Sequence, residues 1–173
     1  MLGITDLTTY VLGTIAIVLL PGPNSLFVLS VAARRGVKAG YAAAFGVFAG
    51  DTVLMLMAAL GAASLLKAVP ALFLVIKWIG AAYLAWVGVG LIVGAVKRWR
   101  GESVPIDESA MDLSQPFRKA LVVSLLNPKA ILFFVSFFIQ FVDPAYPWPA
   151  LTFLGLGLIA QVCSAIYLSV LIF

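Results

Sequence analysis

Histidine is absent from the 173 residues, cysteine occurs once, at Cys163, and charged residues make up only 10%. Without histidine, one cysteine leaves no ligand set for zinc or haem, so neither a metal nor a cofactor is expected. It also excludes an intramolecular disulfide. No glycine-rich phosphate loop is present, which argues against ATP as the direct energy source. The N-terminus lacks the basic residues of a signal peptide, and its apolar run continues past Pro21 to Ala33, the pattern of a retained span. A soluble domain carries about 25% charged residues. This chain is 64% apolar with a mean hydropathy of +1.15. It reads as an integral membrane protein whose main partner is the lipid bilayer. The net charge of +4 is no nucleic-acid signal, because the basic residues sit in short loops.

Hydropathy places five spans, each near the roughly 20 residues a helix needs to cross a bilayer. They are Thr9–Ala33, Tyr41–Leu66, Ala71–Val96, Ala120–Val142 and Pro149–Phe173. The expected fold class is all-α: a polytopic helix bundle forming one transmembrane domain over residues 1–173. A charged connection over 97–119, with Glu102, Asp107, Glu108 and Asp112, reads as a solvated linker between two halves. The loops after spans one and three carry Arg34, Arg35, Lys38, Lys97, Arg98, Arg100, Arg118 and Lys119, against Lys67 and Lys77 on the other side. That bias puts the N-terminus outside and the long loop in the cytoplasm. Tyr10, Tyr41, Trp78, Tyr146 and Trp148 fall near span ends, as an aromatic belt requires.

Two spans are interrupted. Leu19-Leu20-Pro21-Gly22-Pro23-Asn24-Ser25 and Leu125-Leu126-Asn127-Pro128-Lys129 place helix breakers in the middle of apolar runs. Proline removes a backbone donor, and hydrocarbon has no water to satisfy the acceptor it frees. Such breaks are tolerated where they line a cavity, and transporters commonly build binding sites there. Span one runs inward and span four outward, so the two breaks have opposite polarity. Sliding one stretch onto the other aligns Leu26, Phe27 and Ser30 with Leu132, Phe133 and Ser136. Inverted three-helix repeats are expected, the first over 1–96 and an incomplete second over 120–173. A three-plus-three repeat implies a sixth span. Because the chain stops at Phe173 within an apolar run, the C-terminal part of the natural protein is expected to be absent.

The candidate site residues follow from these breaks. Pro21 and Pro23 cannot donate to the carbonyls of Ile17 and Leu19, and with Gly22 they disrupt more than one ladder bond. Asn24 and Ser25 are expected to start a second half-helix whose N-terminal dipole attracts an anion. The alternative is a packed proline kink. Asn127 suits an N-cap and Pro128 the first helical position, which sets Lys129 in the first turn. Lys129 lies about 15 Å into its span at 1.5 Å per residue, far for a lysine that merely snorkels to the surface. Asp51 is the one carboxylate inside any predicted span, by default a functional position. It carries the coupling proton, binds a substrate ammonium, or pairs structurally with Lys129. Ala42, Gly46 and Gly50 form a small-residue stripe that reads first as packing. Gln161 either completes the polar set or bonds a neighbouring helix. Lys77 and Gln140 read as interfacial.

Pro21-Gly22-Pro23-Asn24, Gly46-Val47-Phe48-Ala49-Gly50-Asp51 and Asn127-Pro128-Lys129-Ala130-Ile131-Leu132-Phe133-Phe134 together resemble the LysE/RhtB superfamily of bacterial amino-acid exporters. The likeness runs along the whole chain, and around Gly46–Met57 and Lys129–Asp143 it is most similar to the leucine-exporter branch. It implies efflux of neutral, leucine-like amino acids from the cytoplasm across the bacterial inner membrane, coupled to protons, with no enzyme activity. Family members run to about two hundred residues with six hydrophobic segments, one more than this chain shows. Two other classes stay open, a passive channel and a membrane enzyme. Opposed breaks fit alternating access better than a channel, and the lack of histidine leaves an enzyme little for acid–base work. Oligomeric state, a homo-oligomer included, stays open.

The charge bias generates a topology prediction. A reporter fused after Gly101 reads as cytoplasmic and one fused near Ala145 as external; the opposite result in either fusion overturns the orientation.

Overall fold

The computed structural model describes residues 2–68 and 113–173, together with Trp78, Val89, Val93, Val96, Trp99 and Arg100. Most of the third predicted span, Lys77 and most of the 97–119 linker lie outside the described residues. Among the described residues the protein is all-helical, with one isolated antiparallel bridge between Ile4 and Val142. The elements are α1 (Leu7–Leu19), α2 (Pro23–Arg35), α3 (Val37–Ala68), α4 (Pro116–Leu125), α5 (Pro128–Leu132) and α6 (Pro149–Ile172). The α5 helix runs on as a π turn over Phe133–Phe137 and a 3₁₀ turn over Phe138–Phe141. Two stretches, Val37–Gly61 and Pro149–Ile172, are long and apolar enough to cross a membrane unbroken. Two bent pairs meet the same test, α1 with α2 at 52° and α4 with the Pro128–Phe141 segment at 51°.

Residues that precede proline make both bends. A proline ring clashes with an α-helical conformation in the residue before it and pushes that residue extended. Leu20, before Pro21, sits at φ −69°, ψ 119°, and Gly22, before Pro23, at φ −139°, ψ −179°. Asn127, before Pro128, adopts φ −75°, ψ 109°. Leu20 ends α1, Gly22 and Asn127 are the N-caps of α2 and α5, and the proline after each N-cap starts its helix at the first position, where no N–H is needed. The linker boundary needs correction. Expected to reach Lys119, the linker gives way to α4 at Pro116, which fills that helix's first turn.

Glycine decides how closely the elements approach. Gly36, at φ +83°, turns α2 into α3 in a single residue, a conformation that L side chains rarely adopt. The stripe on α3 packs on α4: a Cβ on Gly46 would lie 2.2 Å from the Phe117 carbonyl oxygen, and one on Gly50 2.6 Å from the Ser124 Cβ. α3 makes its most extensive packing with α4, so the unbroken span braces the first half of the second broken one.

Two apolar clusters form the core. Tyr10, Phe133, Phe134, Phe138, Phe141 and Phe153 centre the first, at the end where the chain begins. Tyr10 and Phe141 meet edge to face at 5.2 Å, and Phe133 stacks on Phe137 at 5.4 Å. The N-terminal strap closes that end: Thr5 N–H donates to the Phe141 carbonyl (3.0 Å), Asp143 N–H to that of Gly3 (2.8 Å) and the Thr152 hydroxyl to that of Leu2 (2.6 Å). Tyr10 departs from the belt expected of it. It is fully buried and its hydroxyl donates to the Leu156 carbonyl at 2.8 Å, because the aromatic cluster offers its ring more apolar contact than a headgroup layer would. Trp78 and Trp148 are exposed. Phe27, Val28, Val31, Val47, Leu168 and Ile172 centre the second cluster, toward the end where α2 turns into α3.

The α3–α4 contact yields a stability prediction. Alanine is favoured over glycine by about 1 kcal/mol in a helix interior, but at Gly46 the new methyl meets backbone, which cannot step aside. Gly46→Ala lowers stability in detergent by about 1–3 kcal/mol. Gly61→Ala, with nothing among the described residues within 4 Å of its would-be Cβ, leaves stability unchanged or slightly raised in the same thermal unfolding series.

Candidate substrate site

Both breaks and both predicted intramembrane charges open onto one cavity. Its wall includes Gly22, Asn24, Asp51, Asn127, Lys129 and Gln161, with about 640 Å³ of free space, its open mouth included. Met55, Phe133, Phe134 and Ala160 from the first apolar cluster and Val47 and Leu168 from the second also line it. The cavity therefore lies between the two clusters. Of the nine candidate residues, the three prolines, Pro21, Pro23 and Pro128, are not on the wall; all three are exposed and act by shaping the backbone.

Each polar side chain has a definite task. Asp51 sits on α3, and its Oδ1 accepts the Ser124 hydroxyl of α4 at 2.6 Å. The Ser124 oxygen in turn accepts from Asn24 Nδ2 on α2 at 3.3 Å. A chain of hydrogen bonds thus ties the first broken span to the second through fully buried Ser124, and α3 to both. Lys129 Nζ donates to the carbonyl of Leu20, joining the second break directly to the first. Gly22 makes that reach feasible, since a Cβ there would meet the Lys129 Cδ at 3.3 Å. Asn127 caps α5, its Oδ1 accepting from Lys129 N–H at 3.0 Å. Gln161 Nε2 donates to the Phe48 carbonyl (3.1 Å) and the Thr52 hydroxyl (3.0 Å), joining α6 to α3. Gln140 bonds within its own span, to the Ser136 carbonyl at 2.8 Å.

Three expectations need correction. The Ile17 carbonyl, expected to be left free by Pro21, keeps a donor, and the carbonyl that the break offers to Lys129 is that of Leu20. Extended Leu20 carries its own carbonyl out of the helical ladder, while its N–H still reaches back to Ile17 at 3.3 Å. The second half-helix starts at Pro23 with Gly22 as N-cap rather than at Asn24 and Ser25, and Asn24 is free to bond across to Ser124. A direct Asp51–Lys129 pair is not formed among the described residues: the carboxylate goes to Ser124 and the ammonium to Leu20. Ser124 itself escaped sequence reading. Its one signal is its register, opposite Gly50 on the stripe, where a missing side chain leaves room for a hydroxyl beside Asp51.

An apolar helix bundle with two broken spans and a charged cavity at their meeting point defines a helical membrane transporter. The chain belongs to the LysE type translocator family, whose model matches residues 15–173. It is a transporter and not an enzyme. It is similar to an uncharacterised membrane protein of Pseudomonas aeruginosa, 61% identical over 173 residues that cover 99% of this chain and 80% of the relative. It is also similar to leucine efflux proteins of Klebsiella pneumoniae and Salmonella typhimurium, 45% and 44% identical over 170 residues, 98% of this chain and 79% of each relative. No solved structure matches the chain.

The hydrogen-bond chain through Ser124 makes a prediction. Ser124→Ala strands a buried acceptor and a buried donor, and lowers stability by about 1–3 kcal/mol. In a thermal unfolding cycle, adding Asn24→Ala to Ser124→Ala costs less than the sum of the single changes, because both remove the same bond. Additive losses refute the coupling.

Proposed function

We propose that the protein is a secondary exporter of neutral, leucine-like amino acids, driven by the proton-motive force and set in the bacterial inner membrane with its N-terminus outside. The observation that carries this reading is the single cavity that holds Asp51 and Lys129 between two broken spans. An amino acid is a zwitterion, so its site needs an element for each charge. Lys129 offers the anion-binding one and keeps two N–H groups beyond its bond to Leu20. Asp51 offers the other. Met55, Phe133, Phe134 and Leu168 supply the apolar wall that an aliphatic side chain requires. The leucine efflux names of relatives at 44–45% identity favour such a side chain.

Apolar clusters on either side of the cavity suit alternating access better than a passive channel, which needs a continuous wet path. On this reading the segments before and after the charged connection are inverted repeats around the cavity, joined by a cytoplasmic linker that ends where α4 begins at Pro116. Bends of nearly equal angle, 52° and 51°, support that symmetry. The proton rides on Asp51, whose hydroxyl partner Ser124 links its protonation to both broken spans.

Coupling is tested in proteoliposomes. Asp51→Asn keeps membrane insertion, since removing an intramembrane charge eases it, and weakens leucine exchange across the bilayer without abolishing it, because the amide oxygen still accepts a hydrogen bond. Uphill export under an imposed proton gradient falls to background. Export against the gradient at the unaltered rate removes Asp51 as proton carrier.

A further inference from the structure

We propose that the substrate's ammonium group is held by three acceptors on the cavity wall: the side-chain oxygens of Asn24 and Gln161 and the carboxylate of Asp51. This rests on the export reading and goes beyond it, because it orients the substrate and assigns two uncharged amides to recognition.

Hydrogen-bond polarity carries the argument. A hydroxyl has one proton, and that of Ser124 goes to Asp51 Oδ1 at 2.6 Å. Ser124 can then only accept from Asn24, which must present its NH₂ and turn its oxygen elsewhere. That oxygen, Oδ1, is buried without a donor. The same logic holds on α6. The Phe48 carbonyl can only accept, and it already takes the Thr52 hydroxyl at 2.7 Å. Gln161 must therefore aim its NH₂ at that carbonyl, and its Oε1 is likewise buried without a donor. Flipping either amide would set oxygen against an oxygen with no proton to give. Both orphans are thus dictated by their neighbours.

Asn24, Gln161 and Asp51 come from three helices and line the same cavity. Buried polar groups are normally satisfied, so two orphan acceptors beside a carboxylate mark a place for a donor-rich group. A primary ammonium has three N–H donors and no acceptor. Its protons match Asn24 Oδ1, Gln161 Oε1 and Asp51 Oδ2, the carboxylate oxygen not taken by Ser124. The carboxylate of the same substrate then faces Lys129.

Purified protein in detergent, titrated with L-leucine and with its 2-hydroxy acid analogue, tests the assignment without transport. A site built to hydrogen-bond an NH group rejects an analogue lacking it. The unaltered protein binds leucine at least tenfold tighter than the hydroxy acid. Gln161→Met, similar in volume and remote from the Ser124 bonds, weakens leucine about tenfold and leaves the hydroxy acid unchanged; Asn24→Leu does the same. Gln161→Met alone decides the matter should the Asn24 variant not fold. Equal losses for both ligands, or unchanged leucine binding, overturn the proposal. Leucine binding without discrimination by the unaltered protein overturns it alone, whereas no leucine binding at all overturns the export reading as well.

Discussion

A carbonyl freed in the middle of an apolar helix bundle must find a donor, and most of this architecture follows from that need. Pro21 forces Leu20 out of the helix, and no water within hydrocarbon can bond the carbonyl left over. Lys129 bonds it instead, from the second break. The lysine gains an acceptor for one of its protons, and the two interruptions are drawn to one place. Neither break is stable by itself at that depth; each supplies what the other lacks.

The supporting structure keeps those partners in register. Gly46 and Gly50 let α3 lie against α4 at a separation that no larger side chain allows, which sets Asp51 within reach of Ser124. Ser124 then passes the link to Asn24 across the first break. Where α3 and α4 are locked by backbone contact, the segment beyond the second break is not regular. It tightens and loosens through π and 3₁₀ turns from Phe133 to Phe141, in the aromatic cluster that closes one end of the cavity. Mid-helix departures of this kind mark hinges and functional sites. The rigid and the irregular parts of the molecule thus meet at the cavity.

Family membership fits this arrangement without explaining it. The leucine efflux proteins share under half of their residues with this chain over the aligned region. Its chemistry rests on a handful of polar side chains, since most of the sequence only has to be apolar and of suitable size for a bilayer. Asp51 and Lys129 stand out for that reason: a charge in hydrocarbon needs a function or a partner.

Much of this was legible in the sequence because the underlying forces are local. Apolar runs of span length determine helices, a proline determines the conformation of the residue before it, and a lone carboxylate in an apolar run stands out wherever it falls. The two breaks, Asn127 as cap and the ionisable pair follow from such rules. Other features depend on neighbours distant in the chain. Ser124 looks like any serine within a span until Gly50 and Asp51 are set beside it. Tyr10 sits near a span end, as an interfacial tyrosine would, and only packing against Phe137, Phe138 and Phe141 makes it interior. That the Ile17 carbonyl keeps a donor while Leu20 offers its own to Lys129 turned on one ψ angle and on Lys129 lying opposite. Hydrophobicity and backbone sterics are properties of a residue and its immediate neighbours, so the sequence alone determined the described apolar helices and the two interruptions. Hydrogen-bond polarity is a property of partners, and only the tertiary structure decided which groups are paired and which are left waiting.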